Sequence, residues 1–95
     1  NEHYVRVDLG SILYLKSDGN YTDVVTSEKT YIVRGTVKET LSELDERFMR
    51  IHKSYVVQVK MINAVGPTSV VMKGEELPLG KMYKEDLISR LKILK

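Results

Sequence analysis

The chain has 95 residues, 42% hydrophobic and 29% charged, with a net charge of +2 and no cysteine. That size and balance describe one globular domain with a single modest core rather than a disordered chain. No apolar run approaches the roughly 20 residues of a membrane helix, and the lack of cysteine excludes disulfides, zinc thiolates and thiol nucleophiles, as suits a reducing cytoplasm. The mixed, polar opening NEHYVRVD does not resemble a signal sequence. Its start at Asn1, without an initiator Met, sets the expectation of a piece cut from a longer protein.

In chain order, strands come first. Tyr4–Leu9 alternates Val5, Val7 and Leu9 with polar partners, the period-two pattern of a half-buried strand. After Gly10, the run Ile12 to Leu15 is continuously apolar, and Ser17-Asp18-Gly19-Asn20 is turn chemistry. Tyr21–Thr26 and Thr30–Arg34, joined by Ser27-Glu28-Lys29, read as a hairpin of β-branched and aromatic residues. The period then changes. Thr36-Val37-Lys38-Glu39 matches a capping box, and Val37, Leu41, Leu44 and Phe48 follow at helical spacing, which predicts a helix of about three turns.

Alternation returns over Tyr55 to Val59, and Ser69–Met72 with Glu76–Leu79 flank a Lys73-Gly74-Glu75 turn. Gly66-Pro67 separates these strand regions. Past Gly80, Tyr83, Leu87, Ile88 and Leu91 share a helical face, with Glu85 and Asp86 read as its first turn. The expected fold is mostly β with minor α: antiparallel sheets, one internal helix and a short C-terminal helix, forming one domain over residues 1–95.

Charge is uneven along the chain. Residues 1–46 carry five basic and nine acidic side chains, a net of −4; residues 47–95 carry ten and four, a net of +6. No acid occurs from Arg47 through Gly74, where Arg47, Arg50, Lys53, Lys60 and Lys73 all fall. Such asymmetry hints at a polyanionic partner, although a solvated basic face explains it equally on charge alone. A net charge this small makes any nucleic-acid binding depend on where the cations sit.

The segment FMRIHKSYVVQV sets His52, Lys53 and Ser54 side by side. A Ser–His pair needs an orienting third group and a nucleophile turn, and neither is visible near Ser54. His3 and His52 lack ligand spacing, and no phosphate-cradling glycine loop occurs. Neither an enzyme, a metal site nor a cofactor is expected.

Three stretches, spread over nearly the whole chain, carry a resemblance: ILYLKSDGNYTDVVT, YIVRGTVKETLSELDERFMRIHKSYVVQV with its Phe-x-Arg-x-His-x-Ser element, and ELPLGKMYKEDLISRL. Together they resemble the LytTR DNA-binding domain of bacterial response regulators. The resemblance implies a β-dominated fold whose loops, rather than a recognition helix, enter neighbouring major grooves on one face of DNA. Carried over by position, the first loop supplies Asn20, Tyr21 and Thr22. The middle loop supplies Arg50, His52, Lys53 and Ser54, and the last supplies Gly80, Lys81, Met82 and Lys84. Base reading is expected at Thr22, Lys53 and Met82, and phosphate contact at the others.

His52 is as readily a structural residue that hydrogen-bonds its loop, Ser54 a turn-closing one, and Tyr21, Tyr55 and Tyr83 core-edge aromatics. Two departures stand out: Gly80-Lys81 where the family often has Ser-Arg, and Val57-Gln58 where it commonly has Val-Asn. Lysine lacks the planar two-pronged contact of arginine, so the first change bears on base readout. The resemblance further implies transcriptional control within a two-component phosphorelay. The partner is double-stranded DNA at promoter direct repeats, and the domain dimerises there or through a receiver domain. It implies no membrane association and a cytoplasmic location. The alternative is a protein-interaction module whose basic loops dock an acidic partner. The DNA reading requires the turns around Thr22, Lys53 and Lys81 to meet as one cationic edge.

Overall fold

A computed structural model describes residues 6–91. The core of the architecture is a five-stranded antiparallel sheet in the order β3-β2-β1-β5-β4, accompanied by a three-stranded sheet in the order β6-β7-β8. Its strands are β1 (Ile12–Asp18), β2 (Tyr21–Thr26), β3 (Thr30–Arg34), β4 (Phe48–His52) and β5 (Tyr55–Gln58), then β6 (Ala64–Val65), β7 (Ser69–Met72) and β8 (Glu75–Pro78). Helix α1 (Val37–Leu41) follows β3, and α2 (Lys81–Arg90) follows β8.

The continuous apolar run of β1 has a direct cause. Ile12, Leu13, Tyr14 and Leu15 are all buried because β1 is the central strand and both of its faces are covered. Leu15, Val24 and Val56 pack with Ile12, Val37 and Phe48, and with part of α1, on one side. Tyr14 and Val57 pack on the other side with Val70, Met72 and Leu77 of the small sheet and Leu87 of α2. The larger sheet is therefore a middle layer. Tyr14 also crosses between sheets, its hydroxyl donating to Glu75 Oε1 at 2.9 Å.

The two predicted hairpin strands β2 and β3 take the expected bounds, with Tyr21 opposite Arg34. The β1–β2 turn is the two residues Gly19 and Asn20, with Gly19 at φ +63°, as hairpin twist requires of a short turn. Lys73 and Gly74 both take positive φ in the β7–β8 turn.

Three expectations are corrected. The first strand, read over Tyr4–Leu9, lies at Tyr4 and Val5 outside the described residues; from Arg6 to Asp8 no strand forms, and a 3-10 turn follows at Leu9–Ser11. The three-turn helix is only Val37–Leu41. Its capping box forms as read, with Thr36 accepting from the Glu39 N–H and the Glu39 carboxylate accepting from the Thr36 N–H. The helix then tightens into bonds three residues apart, from Glu43 N–H to Thr40 and from Leu44 N–H to Leu41. Asp45 accepts from the Arg47 N–H and guanidinium, which turns the chain into β4. Leu41, Leu44 and Phe48 still join Val37 in one cluster, so the apolar spacing marked a shared core rather than a continuous helix.

The third correction concerns α2. It begins at Lys81, so its first turn contains no acid, and Glu85 and Asp86 fall in its second turn. The helix packs along edge strand β4 and runs opposite to it. Gly80 N–H donates to Ile51 O at 2.7 Å at its start, and the Arg90 guanidinium donates to the Glu46 carbonyl at its end.

Candidate nucleic-acid interface

Strand register determines which turns share an end of the larger sheet. Strands β1 and β5 are antiparallel, with Lys16 opposite Tyr55, and the Ser17 N–H donates to the Ser54 carbonyl at 2.9 Å. The Lys53-Ser54 turn therefore lies beside the outgoing end of β1 and its Gly19-Asn20 turn. At the same end, Gly35 N–H donates to Asn20 O at 2.8 Å. On the other flank, the bond from Gly80 to Ile51 puts the start of α2 beside the His52 end of β4. Three chain-distant segments, at Asn20-Tyr21, Lys53-Ser54 and Gly80-Met82, thus meet along one edge.

The predicted residues divide by what their side chains do. Asn20, Lys53, Lys81 and Met82 are exposed, Met82 by 84%. Tyr21 is 44% exposed. Ser54 is half-buried, and its backbone closes the turn in both directions. Thr22 differs. It is fully buried, and its hydroxyl donates to Gly35 O at 2.9 Å, so in this conformation it braces the loop and presents nothing to a base.

Arg50 and His52 sit on β4 rather than in a loop, at a register shift where one extra residue is accommodated against β5. The Arg50 guanidinium donates to the His52 carbonyl and to the Lys53 carbonyl, bracing the turn from below. His52 Nδ1 accepts from the Ser54 N–H at 3.1 Å, and its ring meets Tyr55 edge-on with centroids 5.9 Å apart. That bond involves the backbone of Ser54 and not its hydroxyl, so it is turn closure rather than nucleophile activation. Lys84 reaches back to Pro67 O at 3.3 Å. Its ammonium retains two further donors.

Several cations singled out by the sequence lie elsewhere. Arg47 forms an ion pair with Asp45 at 2.7 Å, and its guanidinium holds the Asp45 carboxyl below the ordinary carboxylate range. Lys60 follows β5 at the opposite end of the sheet, and Lys73 occupies the β7–β8 turn. Among the described residues, no cluster of three or more histidines or carboxylates is placed to hold a metal, and no helix is long and apolar enough to cross a membrane.

The first turn of α2 has an unusual charge. Gly80 offers no side-chain cap, so the leading N–H groups are left for solvent or an anion, and the turn carries Lys81 and Lys84 with no acid. Cations near a helix N-terminus oppose the helix dipole, typically by 0.3–1 kcal/mol each when exposed. An anion seated there offsets that cost.

Sequence reading passed over Gly35. Its φ of +128° is open to glycine and strained for other residues. Its N–H and carbonyl are both engaged, by Asn20 and Thr22. The available signal was a glycine lying between a strand and a capping-box threonine.

The comparisons with known proteins agree with this architecture. The profile of the LytTr DNA-binding domain family matches residues 2–92. Sensory transduction protein LytT of Bacillus subtilis is 29% identical over 97% of this chain and 41% of its own length. Sensory transduction protein LytR of Streptococcus agalactiae is 32% identical over 78% of this chain and 32% of its own. The chain thus spans less than half the length of these relatives. A solved LytTr DNA-binding domain of a Bacillus cereus response regulator superposes with a TM-score of 0.79 at 26% identity, covering 88% of this chain and 86% of that one. With its mostly antiparallel sheets, its two helices and a profile match over nearly its full length, this chain belongs to the LytTr DNA-binding domain family.

Proposed function

We propose that this chain binds a specific sequence of double-stranded DNA through the edge formed by its three turns, as the output domain of a response regulator that controls transcription. The observation that carries the reading is the cationic, uncapped first turn of α2, packed against β4 beside the Lys53 turn. Lys53 and Lys81 reach guanine O6 and N7 or phosphate, the Asn20 amide reaches a base or phosphate, and Met82 makes apolar contact with a thymine methyl. Arg50, His52 and Thr22 set the loops in place. The target is a pair of promoter direct repeats, bound by two copies that associate on the DNA or through a receiver domain. DNA bending adds shape-dependent selectivity at uncontacted bases.

Selection from a random duplex pool tests this reading. Recovery of one shared motif, bound with an affinity that falls steeply with salt by about 0.9 log units per log unit of salt for each phosphate neutralised, is the expected result. If selection recovered no motif and the basic loops instead captured acidic proteins, the docking-module alternative would stand.

A further inference from the structure

We propose that Arg34 contacts the DNA backbone and extends the interface across β2 to the outer strand β3. This inference rests on the DNA-binding function proposed above. Arg34 belongs to the acidic half of the chain, where nothing in the sequence singles it out. The register nonetheless sets it directly opposite Tyr21 at the end of β3. Cross-strand partners project to the same face with Cβ atoms about 5 Å apart, so Arg34 stands beside an exposed tyrosine of the first loop.

The backbone beyond Arg34 is fixed. Gly35 N–H donates to Asn20 O at 2.8 Å, and Gly35 O accepts from Thr22 at 2.9 Å. Arg34 is therefore carried on the scaffold that holds the first loop. It is exposed, and Arg47–Asp45 is the ion pair found among the described residues, leaving the Arg34 guanidinium without a carboxylate partner. Among the described residues, Asp23 lies diagonal to Arg34 on the same face, directly opposite Lys16, and no ion pair joins it to Arg34. Glu39 is committed to the Thr36 N–H at 2.8 Å, and Asp18 ends β1, with β2 between it and β3.

The spacing suits a duplex. Three interstrand steps of about 4.8 Å put β3 about 14 Å from β5 and the Lys53 turn. A fourth step puts β3 about 19 Å from β4, on which α2 is anchored. That exceeds the roughly 12 Å width of the major groove, so a residue at the outer limit reaches the flanking backbone. A planar, uncommitted guanidinium at the outer limit of such an edge matches the two-oxygen geometry of a phosphate. The competing role is that of a charge guarding an exposed edge strand against pairing with other chains.

Fluorescence anisotropy on a duplex recovered by selection separates these roles, using wild type, Arg34→Gln, Arg34→Lys and Lys60→Gln over a salt series. Lys60, at the opposite end of the sheet, controls for a general loss of charge. A phosphate contact predicts that Arg34→Gln weakens binding and lowers the salt slope by about 0.9. It also predicts that Arg34→Lys keeps most of both, that Lys60→Gln changes neither, and that the selected motif is unaltered. Wild-type affinity and slope in Arg34→Gln overturn the inference alone, as does equal weakening by Lys60→Gln. If the wild type selects no duplex, the DNA-binding reading fails and this inference with it. Thermal melting of each variant checks the fold, and Arg34→Lys keeps the test decisive should the glutamine variant melt early.

Discussion

The hydroxyl of Thr22 donates to the carbonyl of Gly35 at 2.9 Å, which ties β2 to the β3–α1 junction beneath the first loop. Gly35 in turn holds the β1–β2 turn through Asn20. The pair sets the height and angle at which Asn20 and Tyr21 stand at the edge. Thr22→Val keeps the side-chain shape and leaves the Gly35 carbonyl without this donor, at a cost of about 1–3 kcal/mol. For a domain of this size, each kcal/mol lowers the melting temperature by about 4–8 °C. Calorimetry should show that loss, with the selected DNA motif unchanged. A variant of wild-type stability with altered base preference would return Thr22 to the reading surface.

Gly35→Ala should be at least as damaging. At φ +128° a side chain is strained, and the added Cβ would stand 3.3 Å from Glu39 Oε1, the atom that caps α1. A loss of about 1–3 kcal/mol is expected from the backbone conformation alone. Chemical denaturation measures it, and unchanged stability would show that the junction relaxes freely.

Lys53→Ala and Lys81→Ala remove exposed side chains. Both should melt as wild type and bind DNA more weakly, each lowering the salt slope by about 0.9 if the lysine meets a phosphate. Equal binding by both variants would contradict the assignment of these loops.

Arg50→Lys tests bracing against charge. The guanidinium bonds two successive carbonyls, His52 and Lys53, with two different nitrogens. An ammonium lacks the fixed planar fork that holds both bonds in one geometry. The variant should therefore lose affinity although its charge is kept, and amide exchange at Lys53 and Ser54 should quicken. Wild-type affinity would indicate that Arg50 acts only through charge.

Tyr14 links the two sheets and predicts a pH effect. Burial first, then its hydrogen bond to Glu75, pushes its pKa from the ordinary 10.0 up to about 12. A folded-state value above the unfolded one means that the neutral phenol is favoured by folding. The associated stability is present in full below pH 10 and is lost as pH rises through about 12. The stability gap between wild type and Tyr14→Phe should narrow across that window, as followed by denaturation midpoints. A constant gap would show that Tyr14 ionises as easily folded as unfolded.

Much of this fold was legible in local chemistry. The β2–β3 hairpin, the capping box at Thr36 and Glu39 and the central apolar run of β1 follow from short-range pattern, and each formed as read. The length of α1 was not legible, because Leu44 and Phe48 reach the same cluster from a turn and a strand. The start of α2 was misplaced because Glu85 and Asp86 suit a first turn by charge, whereas the helix begins earlier, with lysines.

For the site, residue type indicated polar loops but not which side chains remain free. Arg50, His52 and Thr22 all spend hydrogen bonds on the backbone, which only register and burial reveal. The charge skew between the two halves was a loose guide, since Arg47, Lys60 and Lys73 lie away from the edge. Gln58, where the family commonly has asparagine, is fully buried, and its amide reaches the carbonyl of Ile12 at 2.7 Å and that of Gly10 at 3.3 Å. It anchors the segment leading into β1, a long-range role that no local pattern announces.

The most direct test of the central claim is amide chemical-shift mapping during titration with a duplex obtained by selection. Changes should concentrate at Asn20, Tyr21, Lys53, Ser54, Lys81 and Met82, with Lys60 and Lys73 quiet. Changes centred on Lys60 and Lys73 while those six stayed silent would contradict that claim.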